Sequence, residues 1–185
     1  MGCHQHCASQ DARGVASRRS FVGLACTAIV PGAALAQLAG PGSDADVRFM
    51  RMAIEEARLG DFPFGAVIVR DGAVIARGRN LGRTNGDPTA HGEMVAIRRC
   101  LADHGPAALR GSTLYTSGES CAMCMGAIIW CHMGRLVFAA SIAQLATKID
   151  QIMLTDAAIA AKAPFAPIAI TGGVLAHEAM ALFTK

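Results

Sequence analysis

The stretch Phe64–Asn80, FGAVIVRDGAVIARGRN, decides the fold. Two runs of small and β-branched apolar residues flank Asp71-Gly72. That dipeptide supplies two successive positions at positive φ, the demand of a two-residue hairpin turn, so the runs pair antiparallel. Upstream, Val47, Met50, Ile54 and Ala57 recur at helical spacing and stop at Gly60, with Ser43 or Asp44 available as N-cap. Downstream, a polar, glycine-rich loop (81–88) leads into AHGEMVAIRRCLADHG, a helix ending near Gly105. STLYTS is then a short strand, CAMCMGAIIWCHMG a helix from about Cys121 to Gly134, and RLVFAA another strand. Ile142, Leu145, Ile149 and Ile152 form a helical stripe, PIAIT reads as a strand and GVLAHEAMALF as a last helix. Strands and helices that alternate after a hairpin predict an α/β protein. The expected architecture is a three-layer α/β/α sandwich around one mixed five-stranded sheet, antiparallel at first and parallel afterwards.

Composition is consistent with one domain of this kind. The 185 residues are 52% apolar and 17% charged, with a net charge of +3, enough for a sizeable core. Aromatics make up only 5%, so packing rests on Ala, Val, Ile, Leu and Met. No internal repeat is visible. Seven irregularly spaced cysteines do not make the disulfide framework of a small secreted module.

The first forty residues have another character. Arg18 and Arg19 precede the uncharged run FVGLACTAIVPGAALA, which ends in Ala34-Leu35-Ala36. A basic segment, an apolar segment and an A-x-A site predict a signal peptide over 1–36, and the arginine pair resembles a twin-arginine signal. The expected division is a signal peptide at 1–36, a linker at 37–43 and a catalytic domain at 44–185. The alternatives are an uncleaved anchor, weakened by Gly23, Pro31 and Gly32, or a mis-assigned start, which would leave the protein cytoplasmic. CHQHC, Cys3–Cys7, falls in the segment to be removed. Residues 37–185 carry 14 basic and 13 acidic side chains, too even a balance to grip a phosphate backbone, so no stable nucleic-acid complex is expected.

The chemistry lies in the second half. In SGESCAMCMG, Ser117–Gly126, Cys121 and Cys124 stand three apart at a helix start. They are about 60° apart around the axis, so both thiols face one side. Free N–H groups of a first helical turn favour thiolate there. By itself this Cys-x-x-Cys also suits a thioredoxin-like redox pair, a periplasmic thiol–disulfide protein. His91 and Glu93 add to the metal reading. One His and two Cys supply three ligands for Zn²⁺ and leave a fourth position for water, with a carboxylate free to take the water's proton. On a regular helix the His91 and Glu93 side chains would point about 200° apart. They serve one site only if His91 lies at the irregular start of its helix.

Three segments in this order, FGAVIVRDGAVIARGRN, DPTAHGEMVAIR and LYTSGESCAMCMGAIIW, resemble the cytidine deaminase-like superfamily, and within it the branch of guanine deaminases and tRNA adenosine deaminases. The resemblance covers about 47–140 closely. It implies His91, Cys121 and Cys124 as ligands of one Zn²⁺ per chain, Glu93 as proton shuttle and Asn80 as a hydrogen-bonding partner of the base. It also implies a homodimer. The activity implied is hydrolytic deamination of a free base or nucleoside, with guanine the leading substrate. Cytosine, adenine, adenosine or an aminotriazine are the alternatives. Export through the twin-arginine machinery to the periplasm would let zinc bind first, in a reducing compartment.

Two positions depart from the family pattern: Ser120 stands where Pro is usual and Gly92 where Ala is commoner. The Ser120 substitution leaves open a non-catalytic member with structural zinc. Asn80 could also be only a turn residue. Glu119 could line the site or face solvent, and Trp130 and Phe64 could pack near it. Cys100 and Cys131 read as buried small apolar residues that could pair in an oxidising compartment. Met123, Met125 and Met133 read as core. His104, His132 and His177 read as surface or packing residues.

Overall fold

The computed structural model describes residues 42–183. The expected signal segment, 1–36, and the linker up to residue 41 lie outside the described residues. Helix α1 (Asp44–Arg58) starts in a capping box: the Ser43 hydroxyl accepts the Asp46 N–H at 3.2 Å, and Asp46 accepts the Ser43 N–H at 2.8 Å. Strands β1 (Gly65–Arg70) and β2 (Ala73–Arg79) form the hairpin, with Asp71 at φ 51° and Gly72 at 76°. A short helix α2 (Gly82–Asn85) interrupts the glycine-rich loop before helix α3 (Gly92–His104). Then come β3 (Thr113–Gly118), α4 (Ala122–Trp130), β4 (Arg135–Ala140), α5 (Ile142–Leu145), α6 (Asp156–Ala160), β5 (Ala169–Thr171) and α7 (Ala176–Met180).

The sheet has five strands in the order β2-β1-β3-β4-β5. β1 pairs antiparallel with β2 and β3, while β3–β4 and β4–β5 are parallel. Alternate side chains divide the core between the two faces, as the pleat requires. Val67, Val69, Tyr115 and Val137 pack with Phe49, Met50, Ala53 and Ile54 of α1. Ala66, Ile68, Leu114 and Leu136 pack on the other face with Ala96 and Ile97 of α3 and Met125 and Ile128 of α4. The three layers and the mixed sheet expected from the sequence are therefore present.

Several boundaries differ from expectation. α4 ends at Trp130, not Gly134, because His132 adopts φ 52° and turns the chain into β4. The stripe from Ile142 to Ile152 is not one helix. Ile142 and Leu145 are buried, but the chain leaves the helix after Leu145 and Ile152 is 63% exposed. α6 was not anticipated, and the last helix is only five residues long before a 3₁₀ turn, Ala181–Phe183.

A buried polar staple ties α1 to three strands. Asp46, 2% exposed, accepts from Tyr115 Oη at 2.8 Å and from the Arg135 guanidinium at 2.7 and 3.1 Å. Arg135 also donates to Thr171 Oγ1 at 2.9 Å. Burial alone would raise the Asp46 carboxyl. The bonds from Arg135, Ser43 and Tyr115 outweigh it and hold the group far below the usual carboxylate range. A depressed carboxylate stabilises the fold fully above the unfolded-state value, about 4, and loses that contribution as pH falls below it. Arg135→Met should cost about 2–4 kcal/mol, less than a fully buried pair because the Arg135 side chain is 29% exposed. It should also flatten the fall in stability below about pH 4; denaturant titrations across pH will show both.

The hairpin meets α3 backbone to backbone. A Cβ at Gly78 would collide with Gly92 O and Ala96 N, neither of which can rotate away. Gly78→Ala should therefore destabilise by about 1–3 kcal/mol or more, read as a lowered denaturation midpoint.

Candidate metal and catalytic site

Two helix starts build the site. His91 is the N-cap of α3, with extended φ −67° and ψ 159°, and its ring makes no cap hydrogen bond. The imidazole therefore stands off the helix while Glu93 sits in its first turn, which removes the angular conflict raised by their spacing. The approach to His91 is rigid. Asp87 Oδ1 accepts the Thr89 N–H at 2.8 Å and its hydroxyl at 2.6 Å, and Arg98 of α3 donates to Asp87 and to Thr89 Oγ1. Cys121 is likewise the N-cap of α4, with φ −69° and ψ 165°, and Cys124, fully buried, lies one turn on.

His91 Nδ1 is 3.5 Å from Cys121 Sγ and 3.6 Å from Cys124 Sγ, and the three ligand atoms all lie within 4.8 Å of one another. A tetrahedral Zn²⁺ with N at about 2.05 Å and S at about 2.3 Å separates N from S by roughly 3.5–3.6 Å. The donor set and its spacing fit that ion.

The electrostatics favour ligand forms. Hydrogen bonding from Cys124, and then from His91, lowers the Cys121 thiol to about 4 against the cost of burial. Cys124 is raised because it donates to Cys121 and is buried, so the pair shares one proton that a bound cation would displace. The Cys121 contact raises His91. Glu93 is 5% exposed, and burial pushes its carboxyl up; its neighbours include Cys121, His91 and Cys124.

An open cleft of about 430 Å³ reaches the cluster at His91, which borders it with Phe62, Asn80, Arg83 and Pro88. Asn80, 5% exposed, fills the turn role considered for it, since Oδ1 accepts the Gly82 N–H at 3.1 Å. The same bond fixes the amide and leaves the NH₂ as a donor at the cleft. Phe62 and Arg83 were not anticipated. The Arg83 guanidinium lies 4.9 Å from the centre of the Phe62 ring, and Asp61 holds the adjacent Thr84 through both N–H and hydroxyl. Nothing in their local pattern marks them.

Other expectations resolve differently. Glu119 is buried, and its two oxygens accept the N–H groups of Ile142 at 2.8 Å and Asp156 at 3.1 Å. Asp156 is fully buried, unforeseen, and pushed up to about 8 by burial, with the Ser120 N–H opposing. Trp130 does not pack near the cleft: it is 73% exposed at the far end of α4, stacked on Phe165 at 5.2 Å. Phe64 packs on Phe183. Met123, 36% exposed, is not core, whereas Met125 and Met133 are. Cys100 and Cys131 are free thiols: Cys100 is a fully buried member of one apolar cluster, as expected, and Cys131, partly buried, packs against it.

Comparison with known proteins gives a consistent result. A guanine deaminase of Bacillus subtilis is 51% identical over 78 residues, 42% of this chain and 50% of that protein. A tRNA-specific adenosine deaminase of Haemophilus influenzae is 43% identical over 104 residues, 54% of this chain and 60% of that protein. The chain thus spans half to three fifths of the length of these relatives. A solved structure of NE0047 in complex with 2,6-diaminopurine superposes with a TM-score of 0.64 at 26% identity, covering 75% of this chain and 79% of that one. Residues 43–140 match the cytidine and deoxycytidylate deaminase zinc-binding region. That span contains both helix starts and all three clustered ligand atoms, and the chain belongs to this zinc-binding deaminase family.

Proposed function

We propose that the protein is a zinc-dependent hydrolase that deaminates a free nucleobase, with guanine the leading substrate and ammonia the second product. The observation that carries this reading is a buried carboxyl, Glu93, beside the His91–Cys121–Cys124 cluster, whose His91 borders a cleft together with Asn80. His91, Cys121 and Cys124 would hold the ion. Zinc held there would lower the pKa of a water molecule to about 7, which no side chain here could do alone. Glu93 would accept one proton from the attacking water as the water oxygen bonds to the amine-bearing ring carbon, and pass it to the ring nitrogen. It would then carry the proton of the new hydroxyl to the amine, so the carbon–nitrogen bond breaks, ammonia leaves and the carbon becomes a carbonyl. A carboxyl raised by burial suits this exchange, because its affinity for the proton lies nearer the working pH. The Asn80 NH₂ would hydrogen-bond the base.

The similarity to guanine deaminase and the 2,6-diaminopurine held by NE0047 support a purine base. The tRNA deaminase similarity supports a second reading, adenosine in RNA. The even charge of residues 37–185 favours the small substrate. A redox role for Cys121 and Cys124 gives no account of the imidazole 3.5–3.6 Å from both sulfurs.

The zinc-loaded protein should release ammonia from guanine faster than from cytosine, adenine, aminotriazines or a tRNA anticodon stem-loop. Glu93→Gln should keep about one zinc per chain by metal analysis and lose about 10²–10⁴-fold in rate. Turnover near the wild-type level in that variant removes Glu93 from this role. The twin-arginine pattern supports export of the folded, metal-loaded protein. Arg18→Lys with Arg19→Lys should retain it in the cytoplasm, and unchanged periplasmic recovery refutes the signal.

A further inference from the structure

Three residues carry the chain from the end of β3 at Gly118 to the start of α4, and they end on Cys121. Their hold comes from outside the strand and the helix. Glu119 N–H donates to Ala140 O at 2.7 Å, the last strand-like contact. Residue 156 then binds the segment in both directions. Its backbone N–H donates to Glu119 Oε1 at 3.1 Å, and its carboxylate Oδ2 accepts the Ser120 backbone N–H at 3.1 Å. Ser120 and Asp156 are both fully buried. No lysine, arginine or histidine lies within 4.0 Å of Asp156 among the described residues. A carboxyl kept at 0% exposure without a cation is costly. Among the described residues its carboxylate accepts the N–H next to Cys121 through Oδ2, and Oδ1 has no hydrogen-bond partner.

We propose that Asp156 is a positioning residue for the metal site: by accepting the Ser120 N–H it fixes the peptide immediately before Cys121, and so fixes where the Cys121 sulfur stands relative to His91 and Cys124. In this contact Ser120 acts through its backbone N–H. A residue with an N–H at this position needs an acceptor in a dry interior, and Asp156 is that acceptor. Removal of the acceptor alone leaves a buried N–H unpaired and frees the loop. Removal of donor and acceptor together leaves neither penalty. The proposal rests on the zinc reading above, and the two can fail separately.

The test measures zinc affinity by chelator competition, with the d–d absorption of the Co²⁺-substituted protein as a second readout and the melting temperature as a check on folding. The wild type should bind one zinc. If it binds none, the zinc reading fails. Asp156→Leu keeps the branched shape without an acceptor, although its methyls are bulkier than the carboxylate oxygens, and should weaken zinc binding by about 10–100-fold while shifting the Co²⁺ band. Asp156→Asn retains an oxygen acceptor and should stay within about 3-fold of wild type. Ser120→Pro removes the N–H, so adding Asp156→Leu to it should change zinc affinity less than about 2-fold. Wild-type affinity and an unshifted Co²⁺ band in Asp156→Leu overturn the proposal. So does a loss of the same size whether or not Ser120→Pro is also present. If Asp156→Leu does not fold, recovery of fold and zinc in the double variant supports the proposal, and failure to recover them overturns it.

Discussion

The contact between the hairpin and the first turn of α3 governs the rest of the molecule. At Gly78 the strand backbone lies directly on Gly92 O and Ala96 N, and at Gly65 it lies on the α1 backbone at Ala53 O and Ala57 N. The two helices thus clamp the hairpin from opposite faces, backbone against backbone at these two glycines. Helix α3 cannot slide or rise without lifting off the sheet, so the position of its N-cap, His91, is set by main-chain contact. Gly92 shares in this: a Cβ there would come within 3.0–3.2 Å of Phe64 O and the Gly65 backbone. Glycine at 92, where alanine is commoner in the family, eases the contact without moving the helix.

The second helix start is fixed by parallel pairing. β3 and β4 run in register from Thr113–Arg135 to Gly118–Ala140, which places Cys121 just beyond the carboxyl ends of both strands. The imidazole and the sulfurs therefore come from elements anchored independently, one by hairpin contact and one by sheet register. Glu93, Glu119 and Asp156 add three buried carboxyls near the two thiols. Glu119 is satisfied by backbone N–H groups, whereas the cationic group that the thiols and Glu93 face is the His91 imidazole. A dication among them offsets negative charge that the interior otherwise suppresses by holding protons.

Local rules carried the sequence reading where structure depends on neighbours in the chain. Asp71-Gly72 could only be a tight hairpin turn, and Cys121 and Cys124 share a face because helix geometry leaves no alternative. The reading failed where tertiary context decides. The stripe Ile142–Ile152 has helical period, but the core accepts only Ile142 and Leu145, and the segment after Leu145 bends away with Ile152 in solvent. Trp130 lies in a segment of strong family resemblance yet sits about 13 Å along α4 from Cys121 at 1.5 Å per residue. Asp156 was invisible for a different reason. In the folded chain it stands as an ordinary first-turn acid after Thr155, whose Oγ1 accepts the Ala158 N–H at 3.3 Å. Only the fold reveals that this acid faces inward.

That last point changes how the C-terminal third should be regarded. The family match ends at residue 140, and the segment beyond it invites reading as a variable lid over a finished site. Yet Ile142 N–H and Asp156 N–H occupy both oxygens of Glu119, and the Asp156 carboxylate holds Ser120. The loop that presents Cys121 is therefore braced by residues outside the matched region. A segment that braces the loop before Cys121 cannot vary freely. Substitutions there must keep the Ser120 contact or remove donor and acceptor together. The residues just beyond the matched region and the short stretch between β3 and α4 are coupled through these three hydrogen bonds.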